Sequence, residues 1–184
     1  MKTREYQLSR RRFIRTITAA TTGMVLLSPW RSVFANNADR SLSFFHTHTG
    51  EHLKLTYFCD GEYQQEALQE INHYLRDFRT GDVHNIEPQL MDILATIQTV
   101  SDSHGTYEII SGYRSPRTNE SLRQQGHSVA KRSLHMLGKA IDVRLTDIKT
   151  SNLRKIAMNL KRGGVGYYSK SDFVHIDTGR VRYW

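Results

Sequence analysis

The chain has little of three things that usually organise a small exported or multi-domain protein. Among its 184 residues there are one cysteine and three prolines, and no long uninterrupted apolar run. The lone cysteine, Cys59 in "TYFCDG", excludes an internal disulfide. It sits in an apolar run and is expected to be a small core residue, because no neighbour offers the base that would activate a thiolate. Without a Pro-rich tract, repeat or low-complexity segment, nothing divides the chain after its first few dozen residues. The stretch "TITAATTGMVLLSPW" (16–30) holds too few strongly apolar residues to span a bilayer stably. Excess charge is also scarce once located. The formal net charge is +8, but residues 1–35 carry seven Lys/Arg and one Glu, so 19 basic residues face 17 acidic ones in the remainder. That near balance gives no reason to expect a nucleic-acid partner.

What is present at the start reads as an address. "SRRRFIR" (Ser9–Arg15) is followed by the short apolar stretch and then by "SVFANN", with Val33 and Ala35 forming a V-x-A cleavage signal. The arginine run resembles a twin-arginine export signal. Residues 1–35 are therefore expected to be an export peptide cut after Ala35, and residues 36–184 a single periplasmic domain with no stable membrane insertion after cleavage. Retention of the leader as an anchor is the alternative.

Hydrophobic periodicity predicts an α+β domain. "SLSFFHTHTGEHLKLTYF" (41–58) reads as a hairpin and "QQEALQEINHYLRDF" as a helix burying Ile71, Tyr74, Leu75 and Phe78. "EPQLMDILATIQTV" is a second helix with Pro88 in its first turn, and Ser115 with Pro116 starts a third. "SNLRKIAMNLKRGG" is a fourth helix, expected to close at Gly163.

The chemistry-bearing fragments are "RSLHMLGKAIDVRL" (132–145) and "FVHID" (173–177). As a strand, Lys139–Leu145 turns Ile141, Val143 and Leu145 to the core and Ala140, Asp142 and Arg144 to the other face. Gly138 permits a sharp entry that folds His135 back beside Asp142. In the second fragment Phe173, His175 and Asp177 share a face. If the two strands pair, His135, Asp142 and His175 converge, and two imidazoles with one carboxylate form a zinc set with a fourth position open. A hydrogen-bonded His–Asp pair ordering a loop is the plainer alternative.

The surroundings bear on that choice. "SLHMLGKAIDV" follows the pattern S-x-H-x-x-G-x-A-x-D and resembles the first zinc motif of the D-Ala-D-Ala metallopeptidases, whose fold is shared with hedgehog domains. "SGYRS" (Ser111–Ser115) is similar to that family's arginine motif. "GGVGYYSKSDFVHIDTGRVRYW" and the hairpin "HTHTGE" are similar to the exported murein endopeptidase K branch. The resemblance implies a single hedgehog/DD-peptidase-like domain in which an antiparallel sheet carries one Zn2+, held by His135, Asp142 and His175. It implies Arg114 near the metal, binding a substrate carboxylate or an oxyanion, although a loop salt bridge would also explain that arginine. It implies an acidic residue as general base. Asp172 stands three positions before the last ligand, whereas Asp177 shares the face of His175, so both are candidates. The implied activity is hydrolysis of peptidoglycan stem-peptide cross-links by metal-activated water. A D,D-carboxypeptidase and a non-catalytic peptidoglycan-binding module are the alternatives. His46, His48 and His52 are expected to be solvent-facing rather than a metal site, and the tail residues Arg180, Arg182 and Trp184 to pack as a chain end, with the lining of a groove for an anionic glycopeptide as the alternative.

Overall fold

The computed structural model describes residues 38–126 and 129–184; the leader, its cleavage site and His127 lie outside the described residues. Among the described residues, eight strands and four helices build one mixed α+β arrangement. The strands are β1 (Arg40–His46), β2 (His52–Cys59), β3 (Glu62–Tyr63), β4 (Tyr107–Ser111), β5 (Ala140–Leu145), β6 (Gly164–Tyr168), β7 (Phe173–Asp177) and β8 (Arg182–Tyr183). The helices are α1 (Gln65–Tyr74), α2 (Pro88–Ser101), α3 (Pro116–Gln124) and α4 (Thr150–Leu160). All strands join one sheet in the order β3-β2-β1-β4-β5-β7-β6-β8.

The strands β4, β5, β7 and β6 pair antiparallel, as the resemblance implied, but the sheet as a whole is mixed. β1 pairs with β4 in parallel, and β6 with β8 in parallel. The long excursion through β2, β3, α1 and α2 returns the chain beside β1 in the same direction, which a tight hairpin cannot do. Strand alternation then sorts the residues. Ile141, Val143, Val174 and Ile176 enter the core with Leu90, Leu94 and Ile97 of α2 and Leu153 and Ala157 of α4. This burial of branched side chains between helix and sheet is the main stabilising contribution.

Local endings differ from the periodic pattern in two helices. α1 stops at Tyr74, because the carbonyl of Leu75 accepts from the Tyr113 amide at 2.8 Å and Asp77 turns inward to take the Ser115 amide at 2.9 Å. α4 ends with Lys161 in the left-handed conformation (φ 51°), two residues ahead of Gly163. α3 starts as expected, with Pro116 in its first turn and Ser115 Oγ accepting from the Thr118 amide. Cys59 is only half-buried on β2, not a core residue, and its neighbouring carboxylates Asp39 and Asp60 push the thiol up, towards the inert form. Among the described residues no helix is long and apolar enough to cross a membrane.

Candidate metal centre

The site is assembled where β4, β5 and β7 lie side by side. β5 and β7 pair so that Asp142 is directly opposite His175, and parity puts both on the face away from the core. On the other side a register shift between Ile109 and Ser111 sets Ser111 opposite Asp142. Bulges of this kind re-aim side chains near functional sites. His135 comes from a single 3-10 turn, Leu134–Leu137, which ends at Gly138 in the left-handed conformation (φ 64°). A Cβ at Gly138 would lie 2.0 Å from the Asn85 carbonyl oxygen, so only glycine fits this return of the chain.

Three donor atoms meet. His135 Nε2 is 3.2 Å from His175 Nδ1, His175 Nδ1 is 2.8 Å from Asp142 Oδ1, and His135 Nε2 is 3.3 Å from the same oxygen. All three residues are buried. The remaining bonds set the tautomers. His135 Nδ1 is 2.7 Å from the Gly112 carbonyl, which can only accept, so the proton is on Nδ1 and Nε2 offers a lone pair. His175 Nε2 donates to Asp177 Oδ2 at 2.9 Å, so Nδ1 faces Asp142 Oδ1 with a lone pair when the ring is neutral and with a second proton when it is charged. With both rings neutral, two lone pairs and a carboxylate face one another, an arrangement that requires a cation or an added proton between them.

The separations fit a metal. A tetrahedral ion with bonds of about 2.0–2.1 Å sets its ligand atoms about 3.3 Å apart, and the triangle here has sides of 2.8–3.3 Å. Two imidazoles and one carboxylate match the borderline-soft zinc ion better than magnesium or calcium, which want more oxygens. The electrostatics agree. Burial alone would push the Asp142 carboxyl up, yet His135 and His175 hold it well below the usual carboxylate range. Burial pushes His175 down, but its bonds to Asp142 and Asp177 raise it to about 9, the mark of a pocket that attracts positive charge.

Asp177, one of the two candidate bases, is tied down by its neighbours. It is fully buried and accepts five hydrogen bonds: from the Gly164 and Gly179 amides, twice from Arg182, and from His175. Burial would raise its pKa, but the bonds from His175 and Arg182 and the Gly179 amide hold it well below normal. It fixes the ring of the candidate ligand. Asp172 is brought elsewhere. Its side chain is 65% exposed, it accepts from Thr150 Oγ1, and it lines a neighbouring cavity with Glu108 and Arg144.

Arg114 does reach the site. It is buried beside Asp142, with Nη2 3.8 Å from Asp142 Oδ2 and 3.4 Å from Ser111 Oγ, and its Nε has no partner. Burial pulls its pKa down and Asp142 partly offsets this, so the guanidinium stays charged with donors unspent. The "SGYRS" loop and His135 clasp each other, since the Arg114 amide donates to the His135 carbonyl at 3.2 Å while the Gly112 carbonyl takes His135 Nδ1–H.

A cavity of about 200 Å³ opens over these groups, and Arg182 and Trp184 line it rather than packing as an inert chain end. The signal in the sequence was Gly166, a strand glycine where a Cβ would lie 2.5 Å from the Trp184 ring. The hairpin histidines divide. His46 is buried, not solvent-facing, with burial and His48 lowering it to about 4, while the exposed His48 stacks on Phe78 at 4.2 Å.

Fold and donor set together define a class: a mixed α+β domain with a buried His-Asp-His group able to hold a metal ion, the pattern of a metallopeptidase. The family described as peptidoglycan L,D-endopeptidase MepK matches residues 34–184, and the chain belongs to that family. It is 38% identical over 180 residues to peptidoglycan L,D-endopeptidase MepK of Escherichia coli strain K12, covering 98% of this chain and 99% of the relative. The Shigella flexneri protein of the same name gives the same identity and coverage. A Haemophilus influenzae relative, named as a probable peptidoglycan L,D-endopeptidase MepK, is 39% identical over 146 residues, 79% of this chain and 78% of its own.

Proposed function

We propose that this chain is a zinc-dependent peptidoglycan endopeptidase that hydrolyses an amide bond in stem-peptide cross-links. The observation that carries the reading is the meeting of three potential ligand atoms, His135 Nε2, His175 Nδ1 and Asp142 Oδ1, within 3.3 Å of one another. His135, Asp142 and His175 would hold one Zn2+ per chain. When bound, the ion supplies a Lewis acid that polarises the scissile carbonyl and brings the pKa of a water to about 7.

The chain's own groups do the rest. The Gly112 carbonyl and Asp177 hold the two imidazoles in the tautomers that leave the facing nitrogens bare. Arg114, which lines the cavity, offers its guanidinium to the oxygen of the amide as charge develops on it. The proton shuttle is assigned to Asp172, because every acceptor position of Asp177 is taken; Asp172 lines the neighbouring cavity, so its side chain must turn from Thr150 toward the metal cavity to take the proton of the attacking water and return it to the leaving amine. The substrate sets the compartment: residues 36–184 act in the periplasm, and residues 1–35 serve as a twin-arginine-type export signal.

The test is digestion of purified sacculi with and without a chelator, with identification of the soluble products. Chelator-sensitive release of muropeptides cut at the cross-link is expected. Release of D-alanine alone, the D,D-carboxypeptidase outcome, or adsorption without products, the binding-module outcome, would overturn the reading.

A further inference from the structure

One side of the cavity takes no part in the chemistry just described. The Trp184 ring lies 5.2 Å from that of His175, and its Nε1 donates to the Tyr168 hydroxyl at 3.1 Å. Tyr168 in turn stacks on Phe173 at 4.6 Å, with the planes 16° apart. All three rings line the same cavity as the ligand set. Trp184 and Tyr168 remain 46% and 37% exposed, so a broad apolar surface stands open beside buried polar groups. Exposed aromatic area of that kind, next to convergent polar groups, marks a surface that a ligand covers.

The wall is built rigidly. The Trp184 amide donates to the Val165 carbonyl at 3.2 Å, and the Trp184 carbonyl accepts from the Tyr167 amide at 3.0 Å. Tyr183 anchors the tail through its hydroxyl to the Met158 carbonyl at 2.9 Å. Arg182, held by Asp177, sets its guanidinium 5.0 Å over the indole. Gly166 leaves the bed in which the indole lies. Elsewhere the lining mixes the polar Arg114, Arg132 and Ser133 with the apolar Val129, Ala130 and Leu134.

We propose that Trp184, with Tyr168 and Phe173, forms the specificity-determining wall of the site, seating the saturated carbon chain of the residue that adjoins the scissile amide while the exposed Arg132 receives that residue's carboxylate. Methylene groups against aromatic faces gain dispersion and lose water contact, which a polar or short side chain cannot match. The proposal rests on the amide-hydrolase reading for its chemistry but has a binding test of its own.

That test uses the full chain carrying W30F. Trp30 belongs to the leader segment outside the described residues, and its replacement leaves Trp184 as the only indole. The chelator-treated protein is titrated with two probes, a diaminopimelate-linked stem-peptide dimer and its analogue linked through 2,3-diaminosuccinate, which keeps both carboxylates and lacks the three methylenes. The long-chain probe is expected to shift Trp184 emission saturably, with the short-chain probe about tenfold weaker. In the zinc-loaded chain W184A should raise KM for the long-chain probe about tenfold with kcat within about threefold, and W184F should recover most of the loss. Y168A, at the exposed end of β6, carries the same expectation should W184A fold poorly. Equal losses on both probes with the chain-length preference intact would overturn the wall, as would an unchanged emission across the titration. A chain that binds the long probe at Trp184 yet cuts neither would overturn the hydrolase reading and leave the wall standing.

Discussion

Replacing Asp177 by asparagine separates the two roles open to that carboxylate. In the folded chain it accepts five hydrogen bonds while fully buried. Asparagine has nearly the same shape but offers one acceptor oxygen and one NH2. Whichever way the amide is turned, its NH2 faces donors: the two glycine amides and Arg182 on one side, or His175 Nε2–H and Arg182 on the other. His175 then loses its orienting partner or its place. Loss of such a partner lowers metal affinity about 10–100-fold, about 1.4–2.7 kcal/mol. The Arg182 side chain is 32% exposed, so water screens its share of the lost ion pair. Zinc affinity measured by competition with a chromophoric chelator should fall by that factor, and turnover should return to within about tenfold of the parent at saturating zinc. Unchanged zinc affinity with turnover abolished would refute the reasoning and make Asp177 the proton acceptor in place of Asp172.

Arg114→Ala should lower kcat about 10²–10³-fold while zinc stays bound, as loss of one donor to a developing oxyanion does; Arg114→Lys should not restore it, because the fork is lost. A drop in bound zinc equal to the drop in rate would instead make Arg114 a structural support. Gly138→Ala forces a Cβ to within 2.0 Å of the Asn85 carbonyl oxygen at φ 64°. It should cost about 1–3 kcal/mol in a denaturant titration and weaken zinc binding through His135; an unchanged midpoint would contradict this. His46, lowered to about 4, stays neutral in the folded chain while the unfolded chain protonates it below about 6.5. The unfolded state therefore binds more protons between those values, and stability attributable to His46 is lost as pH falls through that window, by up to about 3 kcal/mol. The stability difference between the parent and His46→Leu should drift by that amount from neutral pH to about 4, and a constant difference would count against the burial argument.

Much of the site could be read from strand alternation. A period of two put Asp142 on the polar face of β5 and His175 on that of β7, and it also set Asp172 off that face. The cross-strand register that brings the two opposite each other is a long-range fact, and the two sequences carry no mark of it beyond their likeness in character. The fate of Asp177 was hidden because two of its donors are backbone amides of Gly164 and Gly179, which any residue would supply. His46 looked exposed because the polar turn beside it dominates the local pattern, whereas its ring is packed near Tyr74 and Phe78. The apolar period running past Tyr74 was real, but Leu75 is buried outside the helix, where its carbonyl serves the "SGYRS" loop. The sequence showed which residues avoid water more reliably than which backbone groups need partners.

The central claim is that His135, Asp142 and His175 grip one divalent ion. Elemental analysis of the purified full chain, equilibrated with trace zinc and freed of excess, tests it without reference to any substrate. About one zinc per chain is expected, falling to near none in His135→Ala and His175→Ala. Absence of any first-row metal from the parent, or the same zinc content in all three proteins, would contradict the account.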